Sequence, residues 1–145
     1  MSHNRLLTHI VFSTKEREPL LSAGWRPELF AYIGGIVRNH NGVLDTAGGV
    51  EDHVHLLVAM SPDRSVSEEV RDIKANSSRW IKEKGFCAGF AWQTKYGAFS
   101  VGDPREVRLY IASQEEHHRT TTFQDEYLAF LKKYDIPFDP RFVFE

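Results

Sequence analysis

The stretch GVLDTAGGVEDHVHLLVAM, residues 42–60, contains two runs of strand-forming residues separated by Glu51 and Asp52. Two such runs joined by a short polar segment predict a β-hairpin. Residues two apart in a strand point to the same face of a sheet, so His53 and His55 are expected to present both imidazoles on one side. This hairpin is the starting point for predicting both the fold and a candidate site.

The other elements are predicted from the spacing of apolar residues on either side of the hairpin. They are a first strand at 6–13, a helix at 27–39, a second helix from 65 to about 84, a strand or pair of strands at 90–101, a third helix from 103 to about 119, and a fourth helix at 123–134 before an extended tail. This order is the βαββαβ pattern of a ferredoxin-like (RRM-like) α+β sandwich, followed by C-terminal helices. In such a fold the helices cover one face of an antiparallel sheet, and we expect the other face to be free.

Two of the helices have well-marked starts. Ser65 and Glu68 have the spacing of a capping box, in which each side chain accepts a hydrogen bond from the other residue's backbone N–H. Asp103 precedes Pro104, which is typical of an N-cap followed by a proline in the first turn.

Composition indicates one domain in a reducing compartment. The chain has 145 residues, 41% of them hydrophobic, and no compositional break, so we assign a single domain at 1–145. Cys87 is the one cysteine and can form no internal disulfide. The apolar run within residues 1–17 is too short for a signal peptide or a membrane span. We therefore predict a cytoplasmic protein without a membrane partner.

A net charge of −2 argues against indiscriminate coating of nucleic acid, which depends on Lys and Arg neutralising phosphates. Any nucleic-acid site must then be a local patch. The clearest one is on the second helix, where four basic residues fall within an arc of about 140°. These residues are Arg71, Lys74, Arg79 and Lys82. A solvated helix face would explain the same pattern, but clustering of one sign in an acidic chain favours contact with DNA phosphates.

The third helix carries further candidate site residues. Tyr110, Gln114 and His117 are four and three positions apart and share one helix face. Val107 and Ile111 lie only partly beside that face, so we expect Tyr110 and Gln114 to be exposed. Taken alone, the His-x-His and Tyr-x-x-x-Gln patterns are short, and each is more often ordinary structure than a site.

Three motifs, taken together and in order, outweigh those separate interpretations. They are EDHVHLLV at 51–58, WQTKYGAFSV at 92–101 and YIASQEEHHRTTTFQDEYLAFLKKYDI at 110–136. With these motifs the chain resembles the single-tyrosine HUH transposases of small insertion sequences, the IS200-like superfamily, and their REP-associated relatives. The resemblance covers nearly the whole chain. Lys95 departs from it, because glycine is expected there, but this position is not catalytic.

The resemblance implies a metal-dependent enzyme that cuts and rejoins single-stranded DNA at hairpin-marked element ends through a 5′-phosphotyrosine intermediate. Position by position, His53 and His55 match the HUH metal ligands, Gln114 matches the third ligand, and Tyr110 matches the nucleophile. The implied cation is Mg²⁺ or Mn²⁺. The implied assembly is a homodimer, in which the histidines of one subunit can pair in trans with the tyrosine helix of the other.

Other functions stay open at this point. A domesticated relative that processes chromosomal repeat hairpins would use the same residues. A non-catalytic module could bind single-stranded nucleic acid through a free sheet face and the basic helix. A metal hydrolase acting on small molecules is less favoured, because no carboxylate is clearly placed to activate water, although Glu51 and Asp52 remain candidates.

Overall fold

The computed structural model describes residues 2–144, which form a four-stranded sheet with helices on both of its faces. In chain order the elements are β1 (Leu7–Ser13), a 3-10 turn (Lys15–Arg17), α1 (Arg26–Asn39), β2 (Val43–Gly49), β3 (His53–Ala59), α2 (Val66–Glu83), β4 (Gly97–Ser100), α3 (Pro104–Ala112), α4 (Gln114–His117) and α5 (Phe123–Lys133).

The strand order is β2-β3-β1-β4, and all neighbouring strands are antiparallel. A βαββαβ chain gives this order when its two crossover helices lie on one face of the sheet. The predicted ferredoxin-like α+β fold is therefore confirmed. The predicted hairpin is β2 and β3, and in its register His55 lies opposite Gly48. On the other side of β3, His55 lies opposite Val11 and His53 opposite Ser13.

The predicted helix starts are present. The Ser65 hydroxyl accepts a hydrogen bond from the Glu68 backbone N–H at 3.1 Å, and the Ser65 N–H donates to Glu68 Oε1 at 3.1 Å. Asp103 accepts a hydrogen bond from the Arg105 N–H at 3.1 Å, at the start of α3. These side chains satisfy backbone donors that have no partner within the helix.

Three predicted C-terminal segments differ from the structure. The strand or pair of strands predicted at 90–101 is reduced to β4 and an isolated antiparallel bridge between Trp92 and Thr14. Between them the carbonyls of Gln93 and Lys95 accept hydrogen bonds from the ammonium group of Lys74. The helix predicted from 103 to about 119 breaks at Ser113, whose φ of −101° and ψ of 20° separate α3 from α4. The tail predicted to be extended turns at 140–144 and packs against α5 through Phe138 and neighbours. Glu145 lies outside the described residues.

Helices α1 and α2 cover one face of the sheet. Side chains of β1 and β3 that point to this face, such as Phe12 and Leu56, pack with Ile33 of α1 and Ile73 of α2. This cluster holds most of the buried apolar side chains of the described chain.

The second sheet face is covered as well, which corrects the expectation of a free face. Val11, Leu57 and Phe99 point to it, and α3 and α5 bury them with Ile111 and Tyr127. Leaving such apolar side chains in water would be unfavourable, so the C-terminal helices close over them. Both histidines of β3 are also on this face, and the candidate site therefore lies between the sheet and the C-terminal helices.

Among residues 2–144, no helix combines the length and the apolar composition needed to cross a membrane.

Candidate active site

The two histidines of β3 lie under the C-terminal helices, and both are fully buried. Asp52 Oδ1 is 2.7 Å from His53 Nδ1, and His9 Nε2 is 2.8 Å from His55 Nδ1. A histidine whose Nδ1 is held by a hydrogen bond has its ring orientation set, and its Nε2 is left for another partner. Both Nε2 atoms are directed into the site in this way.

Helix α3 is held close to the sheet by two contacts with β2. Gly48 lies so near to it that an added Cβ atom would be 2.1 Å from the carbonyl oxygen of Ile111. Arg108 donates two hydrogen bonds to the carboxylate of Asp45, both at 2.8 Å, and this ion pair lowers the pKa of Asp45 to about 2. A bidentate pair of this kind fixes direction as well as distance.

Tyr110 and Gln114 share one side of this segment, as predicted, but they point inward. Gln114 is 1% exposed, and its Oε1 lies 3.2 Å from His53 Nε2. The ring centroid of Tyr110 lies 5.6 Å from that of His55. The prediction that Gln114 is exposed is wrong, because α5 covers the helix face for which the sequence indicated no packing partner. The histidine pair and the tyrosine helix meet within one chain.

Glu126 of α5 connects these parts of the site. Its Oε1 is 2.8 Å from His55 Nε2 and 3.3 Å from His53 Nε2. Its Oε2 accepts a hydrogen bond from the Tyr110 hydroxyl and another, at 3.3 Å, from Gln114 Nε2. One buried carboxylate thus contacts all four residues that the sequence predicted for the site.

Two further histidines reach the same carboxylate from the segment after Gln114. His117 Nε2 is 3.3 Å from the Tyr110 hydroxyl, and His118 Nε2 is 3.1 Å from Glu126 Oε2. The candidate ligand atoms of four residues all lie within 4.8 Å of one another: His53, His55, His118 and Glu126. Three imidazoles and a carboxylate are donors that divalent metals accept, so this buried group could bind a metal ion.

Burial and the Glu126 carboxylate change the proton affinities of the site. Burial opposes a charge on His53, but hydrogen bonds with Asp52 and Glu126 outweigh it and raise its pKa to about 9. Burial dominates at His55 and lowers its pKa to about 4. Burial disfavours the carboxylate form of Glu126 too, but the close contacts with His118, His53 and His55 outweigh that effect and lower its pKa. Burial and the contact with Glu126 raise the pKa of Tyr110, so its phenol is protonated at neutral pH.

The four basic residues predicted to contact DNA lie on α2, on the opposite side of the sheet from the histidines. Three of them are exposed: Arg71, Arg79 and Lys82. Lys74 differs from these three, because its ammonium group donates hydrogen bonds to the carbonyls of Gln93 at 2.9 Å and Lys95 at 2.8 Å. Burial lowers the pKa of Lys74 to about 8. This lysine therefore holds the chain before β4 in place.

Sequence reasoning did not identify three residues of the site: His9, His118 and Glu126. Glu126 had a usable signal, because it lies three positions after Phe123 and four before Phe130, on the apolar face of α5. An acidic residue on a buried helix face requires partners. His9 and His118 had weaker signals, since their importance depends on pairing with β3 and on the break after α3.

A family model described as "Transposase IS200 like" matches residues 2–114. A crystal structure described as a transposase from Deinococcus radiodurans R1 is similar over 78% of this chain and 93% of its own, with a TM-score of 0.63 and 21% identity. A REP-associated tyrosine transposase bound to a REP hairpin is similar over 77% of this chain and 68% of its own, with a TM-score of 0.54 and 15% identity. At these identities the two structures establish a shared fold. Comparison with curated proteins finds no match.

Proposed function

Because this chain belongs to the IS200-like transposase family, we propose that it cuts and rejoins single-stranded DNA at ends marked by hairpins. The observation that best supports this proposal is the meeting of Tyr110 and Gln114 with the two histidines of β3 at one buried point. A nucleophile beside a group of metal-binding side chains is what transfer of a DNA strand requires.

Tyr110 is the proposed nucleophile. The phenol gives up its proton and its oxygen bonds to the phosphorus of the scissile phosphodiester. The bond from that phosphorus to the 3′ oxygen breaks, and the 3′ oxygen takes up a proton, so no proton is gained or lost overall. The products are a 5′-phosphotyrosine and a free 3′-OH. One phosphodiester replaces another, so the bond energy is kept for rejoining and no nucleotide cofactor is required. The raised pKa of Tyr110 means that the phenol needs help to attack.

His53, His55 and Gln114 are proposed to hold the divalent cation, Mg²⁺ or Mn²⁺. When bound, the cation would polarise the scissile phosphate and stabilise the charge of the transition state. Asp52 and His9 would keep the two imidazoles aligned. An imidazole that binds a metal through Nε2 carries its proton on Nδ1, and Asp52 and His9 would accept the hydrogen bonds from these two Nδ1–H groups.

A DNA hairpin is the proposed partner, and the similar REP-associated transposase is bound to one. The same observation favours a second candidate with identical chemistry, namely a relative that processes repeat hairpins and moves no element. The DNA around the gene separates the two. Paired hairpins that bound the gene indicate a mobile element, whereas scattered repeats elsewhere indicate the second candidate.

The nucleophile can be tested by incubating labelled hairpin DNA from the flanks of the gene with the protein and Mg²⁺ or Mn²⁺. The wild-type protein is expected to give a covalent protein–DNA adduct on a denaturing gel. Tyr110→Phe is expected to abolish the adduct, because it removes the attacking oxygen, and to leave hairpin binding close to the wild-type level.

Tyr32→Phe is the matched control, because Tyr32 stacks on Trp80 on the opposite side of the sheet. This variant is expected to form the adduct normally. Undiminished adduct with Tyr110→Phe would exclude that nucleophile. Tight hairpin binding without any adduct from the wild-type protein would favour the non-catalytic binding module.

We also propose that the active form is a homodimer, which light scattering in solution would reveal. In this structure Tyr110 and Gln114 lie beside the two histidines of the same chain. A trans arrangement would need α3 to exchange between subunits.

A cytoplasmic location and a single domain spanning 1–145 remain predictions from the sequence.

A further inference from the structure

We propose that Glu126 and His118 bind the divalent cation together with His53 and His55, and that this set makes the site bind Mn²⁺ more tightly than Mg²⁺ before DNA arrives. The inference rests on the proposed function only for the presence of a cation. Both residues follow position 114, where the family match ends.

The position of Glu126 is that of a ligand. Its Oε1 lies 2.8 Å from His55 Nε2 and 3.3 Å from His53 Nε2. Donor atoms bound to one cation at about 2.1 Å are separated by about 3 Å, so these spacings fit atoms that share an ion. Phe123 and Tyr127 anchor α5 in the apolar cluster on this face and keep the carboxylate directed inward.

His118 supplies an independent observation. Its side chain is 8% exposed, and its Nε2 is buried with no hydrogen-bond partner among the described residues. That nitrogen lies 3.1 Å from Glu126 Oε2, which is ion-pair distance, but the two groups lack the alignment that a hydrogen bond requires. A buried polar atom without a partner is costly. A cation shared with Glu126 gives His118 the partner that the polypeptide does not provide.

The donor set determines the preferred ion. Mg²⁺ favours oxygen ligands and gives up its water reluctantly, whereas the softer Mn²⁺ accepts imidazole nitrogen more readily than Mg²⁺ does. Three imidazoles beside one carboxylate therefore favour Mn²⁺ over Mg²⁺. Gln114 adds an amide oxygen 3.2 Å from His53 Nε2, which does not reverse this preference.

The same ligands join separate elements of the fold. His53 and His55 come from β3, His118 follows α4, and Glu126 belongs to α5. An ion held by all four ties the C-terminal helices to the sheet. Because a ligand that binds the folded state stabilises it, Mn²⁺ should raise the unfolding temperature of the DNA-free protein.

The experiment measures metal binding without DNA. Calorimetric titration of the full chain with Mn²⁺ and with Mg²⁺ is expected to give an Mn²⁺ affinity about tenfold or more above that of Mg²⁺. Glu126→Gln and His118→Ala are each expected to lower the Mn²⁺ affinity by about tenfold or more and to reduce the rise in unfolding temperature.

Two exposed residues provide matched controls. Glu116→Gln changes an exposed carboxylate, and His3→Ala changes an exposed histidine outside the ligand group. Both are expected to bind Mn²⁺ like the wild type. If Glu126→Gln does not fold, the Mn²⁺ affinities of His118→Ala and Glu126→Asp are compared with that of the wild type instead.

Wild-type Mn²⁺ affinity in the Glu126 and His118 variants would overturn the inference, and so would equal binding of Mg²⁺ and Mn²⁺ by the wild type. Neither result would affect the adduct assay for Tyr110. Conversely, if the protein binds Mn²⁺ as expected but gives no adduct, the inferred ligand set stands and the proposed strand transfer is wrong.

Discussion

His55 illustrates how one side chain is prepared by its surroundings. The ring is fully buried, burial lowers its pKa to about 4, and its Nδ1 shares a hydrogen bond with His9. Nε2 lies 2.8 Å from Glu126 Oε1. An imidazole binds a cation through the Nε2 lone pair when its proton is on Nδ1, and His9 is placed to accept that proton in a hydrogen bond. His9 is therefore a positioning residue for the proposed metal site.

A substitution at His9 tests this role. His9→Phe keeps an aromatic ring and removes the acceptor, so we expect Mn²⁺ affinity to fall by about 10- to 100-fold while the fold is preserved. His9→Gln restores an acceptor and should recover part of the loss. Calorimetric titration measures the affinity and thermal unfolding checks the fold. Equal Mn²⁺ binding by His9→Phe and the wild type would show that His55 needs no support from β1.

Single residues also mark the limit of prediction from the sequence. His53 and His55 could be found because a strand places alternate residues on one face, and Tyr110 and Gln114 because a helix aligns residues four apart. Glu126 has no fixed spacing to any of them, since α5 reaches the histidines through tertiary packing. The wrong expectation of an exposed Gln114 has the same origin.

At the scale of elements, the docking of α3 on β2 decides where Tyr110 lies. Gly48 permits the close approach, and the Asp45–Arg108 pair sets the direction of the helix. The break at Ser113 then turns the chain so that His118 and α5 return to the sheet. The sequence predicted one continuous helix here, because local pattern contains no information about where a helix meets a neighbouring strand.

Gly48→Ala tests the docking of α3. The added methyl group would lie 2.1 Å from the Ile111 carbonyl, so backbone must move and Tyr110 moves with it. We expect adduct formation to fall by at least about tenfold, since an error of about 1 Å in placing a reactive group can cost 100-fold in rate.

Gly35→Ala is the matched control for this substitution. No atom lies within 4 Å of the Cβ position at Gly35, which belongs to α1. Replacing a helical glycine with alanine stabilises by about 0.5–1 kcal/mol, and adduct formation should be unchanged. Normal activity of Gly48→Ala would mean that α3 can shift without displacing Tyr110, the proposed nucleophile.

For the whole molecule, the two sheet faces separate two kinds of surface. The proposed chemistry lies under α3 and α5, whereas the exposed basic residues of α2 lie on the opposite face. A hairpin that contacts both must extend around an edge of the sheet. In a chain with a net charge of −2, such local contacts would supply the electrostatic part of binding.

Salt dependence tests the contribution of α2. Replacing Arg79 and Lys82 with Gln should reduce the slope of log affinity against log salt by about 0.9 for each phosphate of a duplex stem that the variant no longer neutralises. Lys74→Gln should leave the slope unchanged and lower stability by about 1 kcal/mol, because it removes hydrogen bonds to backbone carbonyls. Fluorescence anisotropy over a salt series measures the slope. An unchanged slope in the Arg79 and Lys82 double variant would identify α2 as ordinary surface.

The sequence by itself determined the order of strands and helices, the shared orientation of His53 and His55, and the family to which the chain belongs. Each depends on local periodicity or on a motif, which short stretches of chain carry without reference to the rest. Only the tertiary structure decided that both sheet faces are covered, that Lys74 binds backbone, and that Glu126 and His118 join the histidines of β3. Those features depend on contacts between residues far apart in the chain, where packing of apolar side chains sets the distances between polar ones.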